Sequence, residues 1–132
     1  MWQRREIENY LLHPAALRRL CTKLVTQEME LFGASAANKA DELLRKRMTA
    51  DDYENPLLDS ATLKDIRGSL FLDAFFRDFF KEFRLYNSMP KREFYQIAAE
   101  MKPDEVHPEV IEVLDTIAEV LKGQTRPENG DE

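Results

Sequence analysis

LFLDAFFRDFFKEFRLY, residues 70–86, holds six of the eight phenylalanines in a chain of 132 residues, and its periodicity decides the fold. At about 100° per residue, Phe71, Phe75, Phe79, Phe83 and Tyr86 fall on one side of a helix. Leu72, Phe76 and Phe80 widen that side to roughly half the circumference, leaving Asp73, Arg77, Asp78, Lys81 and Arg84 opposite. A surface helix needs an apolar stripe only about 100° wide, so this one is expected to touch two or more neighbours. Each aromatic ring brings on the order of 150–250 Å² to bury, which puts the helix at the centre of the core.

Towards the N-terminus, Ser60 or Thr62 starts this helix and Gly68 is a candidate interruption that leaves a separate turn over residues 62–67. TADDYENPLLD, residues 49–59, reads as a loop with Leu57 and Leu58 tucked against the core. Before it, Ser35 can cap a helix from Ala36 to Met48, whose Ala36, Ala40, Leu43 and Leu44 permit close packing. Arg45, Lys46 and Arg47 suit the negative end of its dipole. Pro14 opens a helix to Phe32 with a stripe of Leu17, Leu20, Cys21, Leu24, Val25, Leu31 and Phe32, and Gly33 reads as its stop. Trp2 to Leu12 reads as a first short helix with Ile7, Tyr10 and Leu11 on one face.

Towards the C-terminus, Pro90 restarts a helix through Met101, with Phe94, Ile97, Ala98 and Met101 inward. His107-Pro108 opens a last helix to Lys122 striped by Val110, Val113, Leu114, Ile117, Val120 and Leu121. The expectation is an all-α compact bundle of about five to seven helices around the Phe-rich central helix. It forms a single domain over residues 1–122, with a polar, disordered tail over residues 123–132.

The totals agree with this. Hydrophobic residues make up 43% and charged residues 33%, which is globular, and no apolar run approaches the roughly 18 residues needed to span a bilayer. The opening MWQRREIENYLL is interrupted by charge, unlike a secretory signal, and one cysteine, Cys21, leaves no internal disulfide; both fit a reducing cytoplasm. A net charge of -6 argues against broad, non-specific binding to nucleic acid but not against a local basic patch.

The chemistry-bearing residues form no closed set. His13 and His107 each precede a proline and lack a second ligand at metal spacing, so both read as structural. Glu6 and Glu8, two apart on a helix, do not face each other, and Asp51-Asp52 and Asp104-Glu105 read as solvated acids. Arg4-Arg5, Arg45-Lys46-Arg47 and Lys91-Arg92 are the basic clusters, and Tyr95 lies one turn past Lys91 in a weak likeness to a base-stacking edge. No metal site is expected within this chain alone.

The string Arg5-Glu6-Ile7-Glu8-Asn9-Tyr10-Leu11-Leu12-His13-Pro14 resembles the segment after the Toprim core in AAA/ABC-like ATP-dependent nucleases of the overcoming-lysogenization-defect (OLD) type. Arg67-Gly68-Ser69-Leu70 and Met89-Pro90-Lys91-Arg92-Glu93-Phe94-Tyr95-Gln96-Ile97-Ala98 are compatible with the helical region that follows, so the resemblance touches most of residues 4–121. It implies the C-terminal part of a longer DNA-processing protein used in phage defence. Mg²⁺ and ATP are then implied for the parent, none for this chain, and the metal-binding acids lie upstream. Glu6, with Glu8 second, is the residue carried over as adjoining that metal site; Gly68-Ser69 stands where relatives tend to have Gly-Lys, leaving Arg67 as a substitute cation.

These readings make the chain a non-catalytic helical module partnered by upstream Toprim/ATPase domains, with Arg4, Arg5, Arg67, Lys91 and Arg92 as the nucleic-acid-binding candidates and no contact with a membrane. The alternative is a free-standing interaction or dimerisation domain, homo-oligomeric through its aromatic helix.

Overall fold

A computed structural model of the chain describes Arg4 and residues 7–112. Among the described residues six complete α-helices run in the order α1 (Pro14–Glu28), α2 (Gly33–Arg47), α3 (Ala50–Glu54), α4 (Ala61–Asp65), α5 (Gly68–Glu82) and α6 (Tyr95–Glu100). Short 3-10 turns lie between them, a further helix opens at residues 108–112, and no strand occurs among the described residues. The fold is an all-α bundle. None of the described helices is long and apolar enough to cross a membrane.

The Phe-rich helix is central, as its periodicity requires. Leu72, Phe75, Phe76 and Phe79 are fully enclosed in α5, with Phe71 and Phe80 nearly so. Phe75 meets Phe76 edge-on at 5.1 Å between ring centres, Phe79 meets Phe80 edge-on at 5.5 Å, and Phe76 reaches Phe94 ahead of α6 at 6.1 Å. On its other sides α5 packs against α2 and the opening 3-10 turn Ile7–Leu11. In α1, Leu17, Leu20, Cys21 and Val25 are buried, and α1 packs most extensively on α2, where Ala36 and Ala40 let the two backbones approach.

The element boundaries differ from the expectation in ways that have local causes. The first helix is only the five-residue 3-10 turn Ile7–Leu11, while Trp2 lies outside the described residues. Gly33 does not stop α1; that helix ends at Glu28, which leaves Leu31 and Phe32 outside its stripe and exposed, and Gly33 begins α2 with φ -59°. Its missing side chain serves close approach, since a Cβ there would stand 3.0 Å from Thr26 Oγ1. Residues 49–59 are not all loop, because Thr49 Oγ1 accepts the Asp52 amide at 3.1 Å and caps α3. Leu58 is 63% exposed and not tucked in; that stretch is held through its carbonyls instead. Pro90 leads only into a 3-10 turn, Lys91–Glu93, before α6 begins at Tyr95. The expected stripe beyond Glu112 and the tail over residues 123–132 lie outside the described residues.

The largest departure ends α5. The Leu85 amide donates to the Phe80 carbonyl at 3.0 Å and the Arg84 amide to the Lys81 carbonyl at 3.1 Å, the paired bonds of a Schellman cap. Its left-handed position, φ 55°, is filled by Arg84 and not by glycine, a choice that costs on the order of 1–2 kcal/mol. The reversal of hand takes Tyr86 off the aromatic face and leaves it 89% exposed.

Candidate functional site

The residues flanking the first turn, expected at a surface, build a polar lock around a buried arginine and a buried histidine. Arg4 is 3% exposed. Its Nε donates to Asp59 Oδ1 at 3.1 Å, Nη1 to the Asn9 carbonyl at 2.9 Å, and Nη2 to the carbonyls of Pro56 and Leu58 at 2.7 and 3.0 Å. The Arg4 amide donates to Tyr10 Oη at 3.1 Å, and that hydroxyl donates to Glu109 at 2.5 Å. His107 closes the circuit, its Nδ1 accepting the Glu109 amide at 3.0 Å while Nε2 lies 3.0 Å from Asp59 Oδ1. With Nδ1 taken by an N–H, the neutral ring carries its proton on Nε2 and donates it to Asp59. Tyr10 stands edge-on to that imidazole at 5.0 Å.

Although this pairs a carboxylate with an imidazole, both ring nitrogens are engaged inside the protein, so the imidazole has no lone pair to offer a substrate proton. Burial pushes the Asp59 carboxyl up, but hydrogen bonds from Arg4 and His107 outweigh it and hold the group below the usual aspartate value. Burial and then the bond to Glu109 push the Tyr10 phenol up. The charges stabilise one another, and the arrangement ties residues 4–10 to residues 56–59 and 107–109.

Asn9 makes the second tie. It is fully buried, its amide Nδ2 donates to the carbonyls of Leu63 and Ile66 at 3.0 and 2.6 Å, and its Oδ1 accepts the Gly68 amide at 2.7 Å. Arg67, the residue before α5, supplies no side-chain cap, so Asn9 caps that helix from a distant part of the chain. A Cβ on Gly68 would come within 2.3 Å of Asn9 Oδ1 and 2.8 Å of the Glu8 carbonyl carbon, so glycine is required for the approach. The stretches 5–14 and 67–70, far apart in sequence, therefore meet here.

The other candidates are dispersed. Arg5 and Glu6 lie outside the described residues; Glu8 is half-buried on the first turn. Arg4 faces inward with its guanidinium committed to internal acceptors, which corrects its placement on a nucleic-acid surface. Arg67, Lys91 and Arg92 are exposed, as is Tyr95.

Two of the acid pairs are not simply solvated. Asp52 is buried and accepts from Ser60 Oγ at 2.7 Å, while Glu105 is gripped by Arg19 through both oxygens and by the Lys102 amide at 3.0 Å. Cys21 is enclosed, and burial pushes its thiol well above the ordinary range. No group of three or more His, Cys, Asp or Glu among the described residues is placed to hold a metal ion.

Nothing in the residue types announced the lock. Its partners are 48, 55 and 99 positions apart, and spacing rules do not reach that far.

What the fold and these ties define is a helical bundle whose polar interior is devoted to holding chain segments together. The chain matches no protein-family model, no curated protein and no solved structure.

Proposed function

We propose that the chain is a non-catalytic helical module, the C-terminal part of a Toprim/ATPase DNA-processing protein of the phage-defence type. The observation that carries this reading is the bond between Asn9 and Gly68: it joins the two stretches whose residues resemble the OLD-type helical region. Those residues act as scaffold. Asn9 caps the central helix and Tyr10 braces His107, while the acids that hold Mg²⁺ and the site that binds ATP belong to upstream domains. The module's task is then to support or steer a site completed by its neighbours, in the cytoplasm, with Arg67, Lys91 and Arg92 exposed for DNA.

The native gene product tests this. Probed in its source cell, it is expected to be far larger than 15.5 kDa, with a Walker A motif and an Asp-x-Asp pair encoded upstream. A native product of that small mass with nothing fused or co-purifying ends the reading.

The alternative, a free-standing interaction domain, is favoured by the tip between α1 and α2, where Leu31 is 93% exposed and Phe32 48%. The exposed tip supports this contact better than the aromatic helix, whose rings from Phe71 to Phe80 are inside. Sedimentation over a range of concentrations separates the two: association abolished by Leu31→Ser/Phe32→Ser supports the interaction domain, and a constant monomer mass removes it.

A further inference from the structure

We infer that the groove between α2 and α5 is a phosphate-binding site that takes the backbone of single-stranded nucleic acid, with Tyr86 as a stacking surface at its end. The groove has a volume of about 490 Å³ and is bordered by Lys39 and Lys46 from α2 and by Lys81, Asp78, Glu82 and Arg84 along and just past α5. Its acids are already engaged, Asp78 with Arg47 and Glu82 with Lys39 at 3.6 Å. Outside the groove, Glu42 lies 3.3 Å from Lys39 and 3.6 Å from Lys46. Lys81 and Arg84 are exposed, line the groove and have no ion-pair partner among the described residues. On a chain of net charge -6 this is a local excess of positive charge in a concave place.

A second observation is independent of charge. Arg84 occupies the left-handed cap position with φ 55°, where glycine would end the helix with less strain. Strain kept at a residue whose side chain enters no hydrogen bond or ion pair within the described residues points to a position held for what that side chain does outside. Arg84 is one of the residues that line the groove.

A third observation chooses the ligand. Tyr86 follows Arg84 by two residues, which places its Cα within about 7 Å of that of Arg84, and its ring is 89% exposed. Cations that follow a backbone beside an open aromatic face are the pattern of single-strand binding, because every base has a face to stack and each phosphate meets a cation. A phosphopeptide would use the cations and leave the ring idle.

The inference rests on side chains of this chain alone and not on the parent-protein reading. A small native product that still binds oligonucleotide removes that reading and leaves this one standing.

The experiment is fluorescence anisotropy of a labelled oligothymidylate of about 20 nucleotides titrated with the purified chain at about 50 and about 200 mM salt. Binding is expected that weakens steeply with salt, that falls by about tenfold or more in Lys81→Glu/Arg84→Glu, and that is kept in Lys64→Glu outside the groove. Arg84→Gly should weaken binding while leaving the urea midpoint equal or higher, a pairing that a loss of fold cannot produce. Tyr86→Ala should weaken binding several-fold with the midpoint unchanged. No binding by the unaltered chain, binding that survives the charge reversal or the loss of the Tyr86 ring, or a preference for phosphatidylserine vesicles over oligonucleotide would each overturn the inference.

Discussion

Gly68 sits where two opposing effects can be compared. Alanine at a helical position normally gains about 0.5–1 kcal/mol over glycine. Here the added Cβ would lie 2.3 Å from Asn9 Oδ1 and 2.7 Å from the Asn9 amide nitrogen, and backbone cannot step aside as a flexible side chain can. Overpacking of this kind costs about 1–3 kcal/mol, so the clash wins and Gly68→Ala is expected to be destabilising by roughly 1–2 kcal/mol net. A urea titration reads it directly, and a raised midpoint would show that the approach is looser than the geometry states. Asn9→Ala leaves the Gly68 amide and two carbonyls without their partner, at about 1–3 kcal/mol for each buried group left unsatisfied. At this scale the residue types of 5–14 were visible in advance, but their work was not. Asn9 looks like a surface polar residue of a short helix, and Tyr10 like one more member of its apolar face, until Gly68 and Glu109 are brought against them.

The periodic elements follow from local rules wherever a single face is buried. In α5 the repeat of aromatic residues every three or four positions gave the correct inner face from Phe71 to Phe80. Phe75 is fully enclosed between neighbouring rings, and Phe75→Ala is expected to cost about 3–5 kcal/mol through lost burial and a residual cavity. Cooperative unfolding followed by circular dichroism in urea measures the loss, and an unchanged midpoint would place that ring outside the core. The ends of elements obey different physics. Periodicity carries no information on where a Schellman cap reverses the hand, so Tyr86 read as core and lies in water. Likewise Gly33 has the composition of a stop, but it begins α2 in right-handed helical conformation, close to the Thr26 side chain.

Across the whole molecule the charged residues act through pairs that join distant segments, and these pairs set the response to acid. Burial pushes the His13 imidazole below its ordinary 6.5, so folding favours the neutral ring. Protons then bind the unfolded chain more readily, and stability present above about 6.5 declines as pH falls through the depressed value. Three carboxyls continue the decline. Asp59 is lowered by Arg4 and His107 against burial, Asp41 by Tyr53 and Arg45 against burial, and Glu105 by Arg19 foremost. Their contribution is present above the ordinary values of 3.8 and 4.5 and is lost as pH falls below them. The urea midpoint is therefore expected to fall in two stages, and His13→Gln should flatten only the upper one. An unaltered upper stage in that variant would assign it to another group.

Taken by itself, the order of residues determined the helical class, the central position of the aromatic stretch, the break at Gly68 and the burial of Cys21. Each of these depends on neighbours within a turn or two, where side-chain spacing and backbone preference act directly. The tertiary structure decided that Arg4 faces inward, that Asp59 and His107 form a lock, that Asn9 caps a helix some 59 residues away, and that Lys39, Lys46, Lys81 and Arg84 border one groove. Those are meetings of segments distant along the chain. Such meetings are selected by the packing of whole helices, whose relative placement no local periodicity encodes.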